Sequence, residues 1–315
     1  MEKMENKNRQ KKTEEAESWL EPCRLCPRAC GRRRLSGEKG VCGAGSGLKV
    51  ARAALHMWEE PCISGTQGSG TVFFSGCPLH CVYCQNREIS GGKAGKEISA
   101  ERLAQIFLEL QEKGALNINL VTPTHYLLQI REALGAARER GLSLPVVFNC
   151  SGYESPEALK LMEGWVDVYL TDFKYSSRET AERYSFAPDY PGRAKEALEE
   201  MVRQQPVPAF SDRGIMEKGV IVRHLLLPGK VKEAEAVVRY VYGRYGDHVY
   251  ISLMNQYTPF PELKEKYPEL CRKVTKREYS ALVDYALELG VEQGFIQEGE
   301  TAGESFIPAF DYEGV

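Results

Sequence analysis

From Gly70 onward, apolar β-rich runs alternate with stretches whose apolar residues recur every three or four positions. The first pattern marks strands and the second marks amphipathic helices. The first run is Thr71–Ser75. Ser99 then caps a helix expected over 100–113, with Leu103, Ile106, Phe107 and Leu110 on one face. The second run, Asn117–Val121, leads to a helix over 126–140. The third, Leu144–Asn149, precedes Ser155 and Pro156, which read as helix cap and first helical position. The fourth is Val166–Leu170, followed by helical sequence interrupted near Pro188 and Pro191. The fifth, Gly219–Leu227, ends at Pro228-Gly229 before a helix over 232–245, and the sixth is His248–Leu253. Six such units imply a parallel sheet with right-handed crossovers, covered on both faces. The expected fold class is α/β, a partial (β/α)6 TIM-like barrel. An open doubly wound sheet is the alternative.

The flanks read differently. Residues 1–18 are polar and cannot bury enough apolar surface to offset ordering entropy, so a disordered tail is expected, with a charged helix as its rival. Residues 19–65 form a Cys-rich segment and connector, 66–260 the barrel, and 261–315 a C-terminal helix and tail. The connector from Gly45 to Gly70 mixes apolar and turn residues, which suggests short strands or an irregular meander, with His56 and Cys62 as packing residues. Lys276–Leu289 reads as a helix ended by Gly290. Phe295, Ile296, Phe306, Ile307 and Phe310 argue that the tail docks.

Composition narrows the function classes. A chain of 315 residues with 43% hydrophobic content can bury a sizeable core. A formal net charge of −3 gives no basis for non-specific nucleic-acid binding. No segment is long and apolar enough to span a membrane, and the N-terminus lacks the apolar core of a secretory signal. Ten cysteines in that setting point to a reducing compartment, so a cytoplasmic location is expected.

Two cysteine groups carry the chemistry. Cys77, Cys81 and Cys84 stand at C-x3-C-x2-C spacing just after the first strand. Thiolates are soft ligands that suit iron–sulfur clusters and zinc. Three cysteines on a four-iron cluster leave one iron open to bind a small molecule. Upstream, Cys23, Cys26, Cys30 and Cys42 form C-x2-C-x3-C-x11-C in a Gly-, Pro- and Arg-rich segment. So short a segment has little core of its own, and four thiolates would close either a zinc site or a second four-iron cluster. Arg32-Arg33-Arg34 reads as a solvated basic run or as an offset to thiolate charge.

Active sites of parallel α/β proteins form at the carboxyl ends of the strands. Each expected strand here ends in polar residues: the three cysteines, Thr122 to His125, Asn149 to Ser151, Asp172 to Lys174, Arg223-His224, and Asn255-Gln256.

The three-cysteine spacing resembles the radical SAM superfamily motif. Cys84-Gln85-Asn86, Asp172-Phe173-Lys174 and Val222-Arg223-His224-Leu225-Leu226-Leu227-Pro228-Gly229 resemble the pyruvate formate-lyase activating enzyme group within it, over roughly Gly68 to Pro259. The Cys-rich N-terminus and Phe-rich tail resemble one branch of that group. The resemblance implies a [4Fe–4S] cluster on Cys77, Cys81 and Cys84 that holds S-adenosylmethionine (SAM) and cleaves it to a 5′-deoxyadenosyl radical. That radical abstracts hydrogen from a substrate, with a glycyl-radical or other protein partner among the candidates. It implies an electron donor such as flavodoxin or ferredoxin. It places Asp172, Lys174 and Arg223 near the carboxylate and ribose of SAM, Tyr83 beside the cluster, and Asn86 near a cluster sulfide or the adenosine. The sequence departs from the family where a Gly-Gly-Glu motif contacts the SAM amino group. Thr122-Pro123-Thr124-His125 stands there, so Thr124 or His125, together with Asn149 or Ser151, is expected to take that part. His125 reads equally as a core or helix-cap residue, and Cys150 and Cys271 as packing residues. The rival class is a non-catalytic zinc scaffold or iron–sulfur electron carrier.

Overall fold

The structure is a computed structural model that describes residues 14–297 and 308–315. Its strands are β1 (Leu48–His56), β2 (Ser69–Phe74), β3 (Lys96–Ile98), β4 (Ile118–Val121), β5 (Val146–Cys150), β6 (Val168–Asp172), β7 (Ala209–Phe210), β8 (Met216–Leu225), β9 (Tyr250–Met254) and β10 (Gly294–Ile296). They form one sheet in the order β10-β9-β8-β6-β5-β4-β2-β1-β3, with β7 on β8. The sheet does not close, because β10 ends it on one side and β3 on the other. β2, β4, β5, β6, β8 and β9 are parallel neighbours and correspond to the six expected runs. The fold is the expected α/β partial barrel.

The crossovers follow their caps. Ser99 Oγ accepts the Arg102 N–H at 3.1 Å and starts the helix Ala100–Glu112. Ser155 Oγ accepts the Ala158 N–H at 3.3 Å, but the helix it opens, Pro156–Lys160, is only five residues long. Pro188 lies in the break between helices Arg178–Ser185 and Tyr190–Gln204, and Pro191 fits the first turn of the second.

Side chains alternate across the strands. Phe74, Leu120, Phe148, Tyr169 and Val222 face the helices and join the main core. On the other face Val147, Val168, Leu170 and Ile221 form a smaller apolar cluster. Further along that face, towards the carboxyl ends, stand Asn149, Asp172 and Arg223.

Three regions differ from the sequence expectation. The connector contains β1, a nine-residue strand antiparallel to β2. Three alanines in Leu48–His56 lower its β-propensity and both faces are packed, so the alternation that reveals a half-exposed strand is missing. The tail adds β10, parallel to β9, before residues 308–315 cross to β1. There Phe310 meets Phe73 edge-on at 5.5 Å between ring centres, and the Ala53 N–H donates to Glu313 O at 2.8 Å. Phe306 and Ile307 lie outside the described residues, as do residues 1–13 of the expected disordered tail. Residues 14–20 are helical instead, because Leu20 buries, and Trp19 half-buries, in an apolar cluster with Leu128 and Leu161.

Candidate functional site

After β2 the chain turns sharply at Gly76, whose φ is +98°. A Cβ there would lie 2.5 Å from Cys42 O and 3.1 Å from His125 Nε2, so only glycine fits both the backbone and the contact. Gly76→Ala is expected to cost about 1–3 kcal/mol. Thermal melting and iron content per chain check this, and both should fall.

The loop beyond Gly76 presents Cys77, Cys81 and Cys84 as partly exposed free thiols. Burial first, and the neighbouring Cys81 second, raise the Cys77 thiol to about 11. Burial, then Cys81 and Cys77, raise Cys84 to about 12. The three thiols therefore lie within one another's field, and a bound metal must supply the charge that deprotonates them. Two donors already point at sulfur: the Leu79 N–H at 3.4 Å from Cys77 Sγ, and Ser185 Oγ at 2.9 Å from Cys81 Sγ. Ser185 Oγ also meets Tyr175 OH at 2.6 Å, and Tyr175 OH meets Tyr83 OH at 2.7 Å. Tyr83 is thus fixed behind the loop, edge-on to Tyr175, Tyr184 and Tyr257.

The neighbouring strand ends carry a buried charge network. Register places Arg223 of β8 beside Asp172 of β6. Arg223 Nε donates to Asp172 Oδ1 at 3.0 Å, Nη2 to Asn149 Oδ1 at 2.6 Å, and Nη1 to Glu59 Oε2 at 3.1 Å. Lys174 Nζ donates to Asp172 Oδ2 at 2.6 Å. Glu59 Oε1 accepts from Asn119 Nδ2 at 3.0 Å and Asn149 Nδ2 at 3.2 Å. Burial alone would raise Asp172, yet Lys174 and Arg223 outweigh it and hold the carboxyl below its ordinary value. Burial opposes the charge of Lys174 as well, but Asp172 and Cys81 overcome it and raise its pKa. Burial raises Glu59 even though Arg223 pulls the other way.

A cavity of about 210 Å³ opens between the loop and this network. Of the residues singled out in the sequence, Cys81, Cys84, Tyr83, Asn86, Asn149, Asp172, Lys174 and Arg223 line it. Cys77 is not among the lining residues. Thr124 and Ser151 do not line the cavity but share a partner, donating to Glu154 Oε1 at 2.9 and 3.4 Å. His125 is buried, with Nε2 donating to Ser75 O at 2.8 Å, and burial lowers its pKa to about 3. That places His125 in the core as a neutral support under Gly76.

Two residues, Glu59 in the cavity wall and Glu154 outside it, were not singled out in the sequence. Glu59 crosses from the end of β1 to bind Arg223. Its signal was the Glu59-Glu60-Pro61 acid pair, the only carboxylates in the connector from Gly45 to Gly70. Glu154 is fully buried beyond β5, and its Oε2 has no hydrogen-bond partner among the described residues. Burial raises it to about 7.

The radical SAM superfamily model matches residues 71–241, more than half of the sequence. The chain belongs to the radical SAM superfamily. A relative from Methanocaldococcus jannaschii, an uncharacterized protein, is 30% identical over 287 residues, covering 88% of this chain and 77% of that protein. Among solved structures, SuiB of Streptococcus suis bound to its precursor peptide SuiA aligns at 15% identity and a TM-score of 0.47, over 71% of this chain and 46% of SuiB. SuiB bound to S-adenosylmethionine aligns at 12% identity and the same TM-score, over 71% of this chain and 48% of SuiB. The chain thus spans about half the length of those structures.

Superfamily membership implies radical chemistry with a [4Fe–4S] cluster and SAM. The residues present fit both groups. Three free thiols with sulfur-directed donors suit a cluster. Arg223 and Lys174 suit a carboxylate, and Asp172 suits ribose hydroxyls. The unpartnered, buried carboxylate oxygen of Glu154 suits an ammonium group. Among the described residues no helix is long and apolar enough to cross a membrane.

Proposed function

We propose that this chain is an activating-enzyme-like radical SAM enzyme whose radical abstracts hydrogen from another molecule, a glycyl-radical or other protein partner being the first candidate. One observation carries the reading: Cys81 and Cys84 of the loop after β2 and the Asp172–Lys174–Arg223 network line a single cavity. When bound, the cluster and SAM supply one-electron cleavage to methionine and a 5′-deoxyadenosyl radical. The chain's own residues orient that chemistry. Cys77, Cys81 and Cys84 would hold the cluster. Arg223 and Lys174 take the SAM carboxylate and Asp172 the ribose, while Asn86 and Asn149 line the adenosine side. Glu154, held by Thr124 and Ser151, takes the ammonium group in place of the family's Gly-Gly-Glu carboxylate. Tyr83 and its aromatic neighbours keep water from the cluster loop.

A low-potential donor of the flavodoxin or ferredoxin class supplies the electron, and ten free cysteines fit a reducing cytoplasm. The four N-terminal cysteines form a second metal site, iron–sulfur or zinc. The test is anaerobic incubation of the reduced protein with SAM, with release of 5′-deoxyadenosine expected. Deuterium transferred into that product from a labelled candidate partner or cell extract identifies the substrate. An iron-containing protein that leaves SAM intact would instead be an electron carrier, and a colourless zinc-only protein a scaffold.

A further inference from the structure

The N-terminal segment folds its four cysteines together by short turns. The Cys23 N–H donates to Arg32 O at 2.9 Å, the Ala29 N–H to Cys26 O at 2.9 Å, and the Gly31 N–H to Cys23 O at 3.2 Å. Gly40 forms a bare floor between two of the thiols. A Cβ there would lie 3.1 Å from Cys42 Sγ and 3.6 Å from Cys30 Sγ. Cys26 is buried, and Cys42, Cys23 and Cys30 all lie close enough to disfavour its charge.

Arg34 supplies the second observation. Its side chain is fully buried. Its guanidinium donates to Gly45 O at 2.9 and 2.6 Å, to His125 O at 2.9 Å, and to Cys23 Sγ at 3.9 Å. Among the described residues no carboxylate pairs with it. A buried cation without an anion is strongly destabilising. Four thiolates around a doubly positive centre carry two net negative charges and give Arg34 its counter-ion. The long contact to Cys23 Sγ is of the kind that tunes a cluster's potential.

The third observation is position. The Cys42 carbonyl accepts the Cys77 N–H at 3.1 Å, so a ligand of one thiol set is hydrogen-bonded to a ligand of the other. The His80 ring donates to Val41 O at 2.7 Å, and Arg28 donates to Pro78 O at 2.9 Å and to Ser185 O at 2.8 Å. The Cys-rich segment is therefore clamped directly against the catalytic loop. Zinc has no redox chemistry, whereas an iron–sulfur cluster in this position can hand on an electron.

We infer that Cys23, Cys26, Cys30 and Cys42 hold a second [4Fe–4S] cluster that passes single electrons to the Cys77–Cys84 loop, the relay resting on the radical SAM reading above. A one-electron donor protein reduces the second cluster from the 2+ to the 1+ state. On transfer it returns to 2+ as the catalytic cluster gains that electron, so charge balances without another reactant.

Metal analysis and Mössbauer spectroscopy of the anaerobically reconstituted full chain decide the cluster assignment. About eight irons per chain, all as [4Fe–4S], are expected. Four irons with one zinc, or four irons alone, overturns it. The Cys77→Ala/Cys81→Ala/Cys84→Ala variant should keep about four irons and an iron–sulfur EPR signal unmoved by SAM. Complete loss of iron in that variant, with melting intact, also overturns it. This readout stands even where the wild type fails to cleave SAM, so the two proposals fail separately. For the relay, Cys23→Ser/Cys26→Ser should lower the ratio of flavodoxin-driven to titanium(III)-driven SAM cleavage at least about tenfold. An unchanged ratio overturns the relay.

Discussion

Arg223→Ala is expected to lower the melting temperature by at least about 6 °C and to abolish measurable SAM binding. Arg223 holds Asp172, Asn149 and Glu59 at once from a mostly buried position. Removing it leaves two carboxylates facing the cavity with only Lys174 and two asparagine amides as partners. Breaking a buried ion pair by deleting one member costs about 3–5 kcal/mol.

The pH dependence separates this cause from simple loss of packing. Asp172 has a lowered folded pKa, so its contribution is present above its ordinary value of 3.8 and is lost only as pH falls through the folded value. Glu59 behaves oppositely. Burial already raises it above 4.5, with Arg223 opposing. Without Arg223 its folded pKa rises further, and the folded state binds more protons than the unfolded state from 4.5 upward. Stability of the variant should therefore fall as pH rises from 5.5 to 8. Denaturant melts across that range check the sign, and a defect independent of pH would remove Glu59 from the explanation. Arg223→Met/Glu59→Gln should recover most of the melting temperature without recovering SAM binding, which assigns the binding loss to the guanidinium itself.

The parts of this site that were legible in the sequence share one property. Cys77, Cys81, Cys84, Asp172, Lys174 and Arg223 are each fixed by a local pattern at the end of a strand whose apolar run marks it clearly. Knowing that parallel strands share one carboxyl end was enough to bring them together. The residues that stayed hidden depend on long-range packing. Glu59 follows an alanine-rich strand without alternation, and only the antiparallel pairing of β1 on β2 carries it across to Arg223. Arg34 sits in a basic run that reads as solvated or as an offset to thiolate charge, and only the fold shows that Arg34 is the one buried beside Cys23 while Arg33 pairs at the surface with Glu21. β10 is three residues long and takes its strand character from β9 rather than from its own sequence. The apparent gap at Thr122-Pro123-Thr124-His125 has the same origin. The expected carboxylate is missing from that loop, and the buried carboxylate bonded to its Thr124 belongs to Glu154 in the loop after β5.

Glu154→Gln is the direct test of that replacement. Glutamine keeps the shape and can still accept from Thr124 and Ser151, so the fold and iron content should hold while the charge is lost. A hydrogen bond to a charged group is worth about 1.5–3 kcal/mol, so SAM affinity should fall about 10- to 100-fold by calorimetry. Burial raises Glu154 to about 7, with the nearby Asp172 charge adding to the rise and Thr124, Cys150 and Ser151 opposing it. Asp172 stays ionised beside Lys174 and Arg223, and burial keeps Cys150 and Tyr190 protonated, so Glu154 alone of these groups titrates near neutrality. An ammonium group favours the carboxylate form. SAM binding should then release a proton below pH 7 and weaken as pH falls from 7 towards 6. In Glu154→Gln that slope should vanish, leaving affinity low and flat. Equal affinity of the two proteins at pH 8 would show that the ammonium group is held elsewhere, and would return Thr124 and Asn149 as its partners.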